Sequence, residues 1–215
     1  PHFEKMLIDN AQMIELYSRM AIKDQDGLFK RVVEETVAHL MRDWALPDGG
    51  FLATIDADSD GGEGHYYVIE YDELLSLADS PTVQSWIDYF QITPNGNMLD
   101  EATNEETGYN IFHPKSFDAS FDRSYFQTTL KAFRKTKREH PIKDATFRIS
   151  ANAWLAKALV LAGQVFTNST WIDLGNQLLD TVLLKIKSQL TSVYLDDVVY
   201  ALSAVIEANR APEDY

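Results

Sequence analysis

The sequence predicts a mainly α protein, an (α/α) toroid of helical hairpins with a small β-hairpin near 51–69. Three observations carry that reading. Apolar residues recur at three- and four-residue steps through most of the chain, which is the spacing of one helical face. The periodic runs follow one another as helix, turn, helix, and the unusual residues gather in the connections. One stretch breaks the period, where Phe51–Ile55 and Tyr66–Ile69 form short β-branched and aromatic runs around an acidic, glycine-rich loop.

Taken in order, the first helix follows Glu4, with Met6, Asn10, Met13, Ile14, Tyr17 and Ala21 on one face. The second carries Phe29, Val32, Val33, Thr36, Val37, Leu40, Met41 and Trp44, and stops at Pro47-Asp48-Gly49-Gly50, where glycine suits a helix end. The two runs at 51–55 and 66–69 then pair as a hairpin. Short helices are expected over 71–78 and 82–90, the second started by Ser80-Pro81 as N-cap and first residue. Gly, Asn, Asp and Glu dominate 93–115, a loop long enough to suggest function. Helical periodicity returns over 119–138, and three more helices are expected over 150–166, 170–189 and 196–209.

At 215 residues the chain has enough surface to bury a core as one domain, 1–215, and no Pro-, Gly- or Ser-rich linker divides it. The net charge of −14, from 19 basic and 33 acidic residues, argues against nucleic acid or an anionic membrane as partner. A neutral or cationic ligand fits better. Without cysteine, disulfides, thiolate zinc sites and thiol redox chemistry are excluded. No apolar run approaches the roughly 20 residues that span a bilayer, so a soluble chain is expected, with the cytoplasm favoured. It opens on Pro1-His2-Phe3 without a signal-peptide pattern and is expected to begin inside a longer protein.

Four constellations could carry chemistry. In Asp56–Tyr67, Asp56, Asp58 and Asp60 followed by Gly61 match the first half of a calcium loop, but Tyr67 stands where a bidentate glutamate belongs. The residues leave calcium and a polar turn both open. His2, Glu4, Asp9 and Asn10 cluster at the start of the first helix, where carboxylates also stabilise the helix itself. Asn110 and His113 share a loop. Asp196 and Asp197 begin the last helix, where one of them suits the N-cap. The basic run Lys131, Arg134, Lys135, Lys137 and Arg138 is expected at a helix C-terminus, solvated and offsetting the dipole. Trp44, Trp86, Trp154 and Trp171 lie within helical stripes and are expected in the core.

The segments PHFEKMLIDNAQ at the start, GGFLATIDADSDGGEGHYYV at 49–68, GYNIFHP at 108–114 and YLDDVVYALSAVIEA at 194–208 occur in one order. Together they resemble the thioredoxin-domain-containing family that includes the spermatogenesis-associated thioredoxin-like protein and the bacterial YyaL-type proteins. In that family a thioredoxin-like domain precedes a helical region similar to the six-hairpin toroid of certain glycosidases and of N-acylglucosamine and cellobiose 2-epimerases. The resemblance implies that the thioredoxin-like domain is absent from this chain and that about half a toroid is present. Its exposed edges would then be covered by self-association, a partner or the missing part of the toroid. The sequence departs from the family pattern at Lys143-Asp144-Ala145-Thr146 and Ala151-Asn152, where only the Asp and the Asn are kept. It also runs almost directly from Gln189 into Leu195-Asp196-Asp197.

The function this implies is carbohydrate binding or processing; the alternative is a non-catalytic scaffold or interaction domain accompanying a thioredoxin-like domain. Two chemistries stay open. Epimerisation next to a carbonyl needs a base and an acid with pKa values near neutrality, for which His2, His65 and His113 are candidates. Glycoside hydrolysis needs two carboxyl groups, drawn from Glu4, Asp9, Asp56 and Glu63. The catalytic candidates are therefore His2, Glu4, Asp9, His65 and His113. The ligand-binding candidates are Asn10, Asp56, Asp58, Glu63, Asn110, Asn152, Asp196 and Asp197. Asp56, Asp58 and Asp60 are the metal candidates, for calcium, and no other cofactor is expected.

Overall fold

The structure is a computed structural model and describes residues 2–23, 27–114, 121–189 and 191–210. The expected helix start at Ala119, the loop end at Lys115 and the connection at Leu190 lie outside these residues. The elements in order are β1 (Lys5–Met6), α1 (Leu7–Ala21), α2 (Leu28–Asp43), β2 (Thr54–Ile55), β3 (Asp58–Ser59) and β4 (Gly62–Glu63). Then follow β5 (Ile69–Glu70), α3 (Tyr71–Leu75), α4 (Ser80–Phe90), β6 (Tyr109–Asn110) and α5 (Arg123–Lys137). The chain continues with β7 (Lys143–Asp144), α6 (Ile149–Val165), α7 (Ser169–Ser188) and α8 (Leu195–Ala208). The described residues are thus mainly helical, with helix positions close to those the periodicity predicts. Among them no helix is long and apolar enough to cross a membrane.

Two compact units share the chain. The helical unit comprises Lys5–Ile55 and Lys143–Tyr215, and the smaller unit Pro1–Glu4 and Asp56–Ile142. In the helical unit β2 lies between β1 and β7, antiparallel to both, with Ile55 opposite Lys143. Chain that leaves at Ile55 therefore returns beside it at Lys143, so the Asp56–Ile142 part of the smaller unit is inserted between paired strands.

The helical unit is organised around α6, whose alanines at 151, 153, 156, 158 and 162 are buried together with Leu155, Leu159, Val160 and Leu161. A helix that is apolar all round belongs inside a bundle, and α1, α7 and α8 all pack on α6 while α2 packs on α1. Leu7, Ala11 and Ile14 of α1, Val33, Val37 and Leu40 of α2, and Leu178 and Leu179 of α7 complete the core, with Trp44 fully buried among them. Helix α2 ends at Asp43 with Trp44 as its C-cap, so Gly49-Gly50 lies in the turn beyond rather than at the helix end as expected. Gly50 has φ +85°, and a Cβ there would fall 2.2 Å from the Phe147 ring, so glycine is required twice over, for the dihedral and for the space.

The smaller unit has an aromatic core. Trp86 and Phe90 of α4 meet Phe126 and Leu130 of α5, and Ile69, Leu74, Val83 and Ile92 close around them. Asp79 caps α4 by accepting from the Thr82 amide at 3.0 Å, so the cap falls one residue before Ser80.

The strand pairing departs from expectation. The runs at 51–55 and 66–69 do not pair with each other, because each finds a different partner: Thr54 and Ile55 join β1 and β7, and Ile69 pairs with Asn110. The acidic loop between them instead closes on itself, with Asp58 opposite Glu63 and Ser59 opposite Gly62. Asp60 and Gly61, the two central residues, have φ of 49° and 80°. Two consecutive positive φ values make a type I′ turn, for which Asp-Gly is a favoured dipeptide.

Candidate functional site

The smaller unit contains a cavity of about 480 Å³, lined by Glu70, Tyr71, Asp72, Pro94, Thr107, Gly108 and Tyr109. Its walls follow from local structure. The β5–β6 pair sets Glu70 opposite Tyr109, and α3 starts at the next residue, Tyr71. That start is fixed by a reciprocal capping box, in which the Glu70 side chain accepts from the Glu73 amide and the Glu73 side chain from the Glu70 amide. The other wall is held by two asparagines. Asn110 Oδ1 accepts from the amides of Thr93 and Asn97, its Nδ2 donates to the Thr93 carbonyl, and Asn97 Oδ1 accepts from the Ile111 amide. These bonds give the part-buried loop backbone its partners.

His65 approaches this cavity through Tyr109, with the two rings edge to face at 6.0 Å. Its Nδ1 lies 3.5 Å from Asp60 Oδ2, and the same oxygen accepts from the Glu139 amide at 3.1 Å. His65 is held from behind by α5. Arg138 donates from Nε to the His65 carbonyl at 3.2 Å and from Nη2 to both oxygens of Glu73 at 2.8 and 2.7 Å. Arg134 donates to the Tyr67 carbonyl at 2.7 Å and lies 5.6 and 5.5 Å from the ring centroids of Tyr66 and Tyr67. Burial pulls the Arg134 pKa down to about 10 and pushes the Tyr67 hydroxyl up to about 12, so the guanidinium stays charged and the phenol neutral at physiological pH.

Contrary to the expectation from sequence, the basic run is not solvated throughout. Lys131, Lys135 and Lys137 are exposed, whereas Arg134 is half-buried and the Arg138 side chain is only 8 % exposed. Arginine fits that place because its planar donors satisfy several acceptors at once.

The sequence candidates divide between the units. His2, Glu4, Asp56, Asp58, Asp60, Glu63, His65, Asn110 and His113 belong to the smaller unit; Asp9, Asn10, Asn152, Asp196 and Asp197 belong to the helical unit. The grouping of His2 and Glu4 with Asp9 and Asn10 therefore crosses from one unit to the other. Within the smaller unit the structure brings Asp60 to His65, while His113 Nδ1 lies 3.4 Å from Gln91 Nε2 and is exposed. His2, Glu4, Asp56, Asp58 and Glu63 are exposed. Asp56 Oδ1 accepts from the Asp58 amide at 3.1 Å, a local turn contact, and Asp60 is turned toward His65 and Glu139. Among the described residues no three His, Asp or Glu side chains form a group that could hold a metal ion.

In the helical unit, Asn152 is fully buried and clamps Phe51, accepting from its amide at 2.9 Å and donating to its carbonyl at 3.1 Å. Asp197 accepts from the amides of Ser150 and Tyr194 at 2.8 and 3.0 Å, Asn10 donates to the Met6 carbonyl, and Asp9 and Asp196 are exposed.

Two polar clusters of the helical unit had no sequence signal, because their members are scattered or lie on a helix face otherwise read as apolar. Glu15 accepts from Trp154 Nε1 at 2.8 Å, Lys157 Nζ at 2.9 Å and Arg19 at 3.0 Å. Burial would raise its carboxyl, but Lys157, Arg19 and Trp154 outweigh burial and hold it below its ordinary range. The second cluster is His39, whose Nε2 accepts from Trp44 Nε1 at 3.1 Å while Nδ1 sits 2.9 Å from Asp43. Only the neutral ring protonated on Nδ1 satisfies both. Burial holds the His39 pKa below its ordinary 6.5, with Arg42 and Lys5 acting the same way and Asp43 opposing.

The unfolded chain thus takes up this proton first. The contribution is full above the unfolded pKa of about 6.5 and is lost as pH falls through it toward the lower folded value. Urea midpoints should fall between about pH 7.5 and 5.5, and His39→Gln should reduce that slope; equal slopes in the two proteins would refute the arrangement.

Fold and site together define a mainly helical protein with an inserted unit that carries an aromatic and acidic cavity. No family model matches the chain. Part of it is similar to spermatogenesis-associated protein 20 of Homo sapiens, 31% identical over 113 residues, 46% of this chain and 14% of that protein. The Mus musculus protein of the same name is 35% identical over 89 residues, 39% of this chain and 11% of that protein. An uncharacterized Caenorhabditis elegans protein, B0495.5, is 31% identical over 114 residues, 46% and 15% of the two chains. The matches thus span about a seventh or less of these relatives.

Proposed function

We propose that the chain is a carbohydrate-binding piece of the α/α-toroid region of the thioredoxin-domain-containing family, related in architecture to sugar 2-epimerases and six-hairpin glycosidases. The observation that carries this reading is the cavity's lining. Tyr71 and Tyr109 offer aromatic surface to the C–H face of a sugar ring, and Glu70 and Asp72 offer acceptors to its hydroxyls. His65, beside Asp60 and edge to face with Tyr109, supports proton transfer next to a sugar carbonyl as the chemistry. A neutral ligand also agrees with the charge of −14.

The scaffold reading is favoured by a different observation, that Asn110 and Asn152 spend their amides on the backbone and leave little for a ligand.

Thermal melts with a panel of mono- and disaccharides separate the two. A sugar present at about 100 times its Kd should add about 2.7 kcal/mol and raise the midpoint by about 5–10 °C. Asp72→Asn should abolish the rise without lowering the melt of the free protein. A cooperative melt that no sugar moves would overturn the carbohydrate reading.

A further inference from the structure

Helix α8 is built inside out. The face it turns to the core carries Ala201, Ala204, the capping Asp197 and Glu207, while Leu195, Val198, Val199, Leu202 and Ile206 point outward, with exposures of 80, 39, 48, 57 and 64%. Tyr194, just before the helix, is 75% exposed. The outward residues recur at three- and four-residue steps and form one straight stripe. A surface helix ordinarily shows the reverse, large apolar residues inward and polar ones outward, and a contiguous apolar stripe turned outward marks a contact face.

We infer that this stripe is the contact face of a symmetric dimer, and that its occupant is α8 of a second copy. The stripe itself carries no charge, so two acidic chains of −14 meet there without opposing like charges. The bulk of Leu195, Val199, Leu202 and Ile206 is also symmetric about the middle of the stripe. In an antiparallel, two-fold pairing Leu195 of one copy faces Ile206 of the other and Val199 faces Leu202, the self-complementarity an isologous interface requires. The exposed area of the six side chains is roughly 700 Å² per copy, so covering most of it in both would bury about 1,200 Å², enough for a specific dimer. This inference is independent of the carbohydrate reading, which concerns the other unit.

The cysteine-free chain allows a clean test. In sedimentation velocity over a concentration series, the protein should approach twice its chain mass of 24.4 kDa, and Leu202→Glu should return it to the single mass with an unchanged circular dichroism spectrum. Should Leu202→Glu fail to fold, Leu195→Glu at the end of the stripe serves instead. A chain carrying Val199→Cys and Leu202→Cys should crosslink between copies at least about tenfold faster than one carrying Asn176→Cys on the exposed side of α7. A monomer at every concentration, a dimer that survives the charged substitutions, or equal crosslinking at the two positions would each overturn the proposal.

Discussion

Replacing Asn152 with alanine should destabilise the protein by about 3 kcal/mol and lower its melting midpoint by about 6–12 °C. The side chain is fully buried and makes three hydrogen bonds: from the Phe51 amide at 2.9 Å, to the Phe51 carbonyl at 3.1 Å and to the Arg148 carbonyl at 2.9 Å. Phe51 is itself buried, so water cannot replace those bonds without opening the core. The amide of one side chain thus closes the chain reversal after α2 against the first turn of α6. Asn152→Asp keeps the shape and the acceptor but loses both donors, and should cost at least as much at neutral pH. Asn209→Ala, which removes an exposed bond to the Val205 carbonyl, is the control and should stay near the wild-type melt. A loss of less than about 1 kcal/mol for Asn152→Ala would mean that Phe51 finds other partners and that the reversal is not held as described.

That position shows where sequence reasoning reached and where it stopped. The helices were legible because their signal is local: three- and four-residue apolar steps, and Ser80-Pro81 at the start of α4. Partner choice was not. Two β-prone runs flanking a glycine-rich loop read as one hairpin, yet Thr54–Ile55 and Ile69–Glu70 each found a strand far along the chain, and the local signal belonged to the Asp60-Gly61 turn inside the loop.

The same limit governs the site. Asn110 and Asn152 stand out in sequence as polar residues in unusual company, and polarity alone does not tell a ligand contact from a backbone clamp. His65 was legible as a candidate, but its pairing with Asp60 depends on the turn, and the Glu70–Asp72 wall depends on the β5–β6 register. The arginines of α5 were misread for an energetic reason. A charged residue near a helix C-terminus is stabilised whether it faces water or the protein, so only tertiary structure shows that Arg138 faces inward.

Arg138→Ala should accordingly be costly, by about 3–5 kcal/mol, because it leaves the partly buried Glu73 carboxylate without its cation. Glu73 also accepts from the Glu70 amide at the start of α3, and Arg138 holds the His65 carbonyl, so one guanidinium ties together the cavity wall and the imidazole behind it. Two signatures separate this from loss of an ordinary surface charge. The first is a double-mutant cycle. Glu73→Gln and Arg138→Met each break the pair alone, and the double variant should lose less than the sum of the two, with a coupling of about 1–3 kcal/mol. Additive losses would show that the pair contributes nothing as a pair. The second is functional. Arg138→Lys keeps the charge but cannot bond both Glu73 and the His65 carbonyl in the same fork, so it should retain more stability than Arg138→Ala while losing most of any sugar-induced rise in the melt. Full retention of that rise in Arg138→Lys would mean that the cavity wall and His65 stay in place without the fork, and would overturn the positioning role given to Arg138.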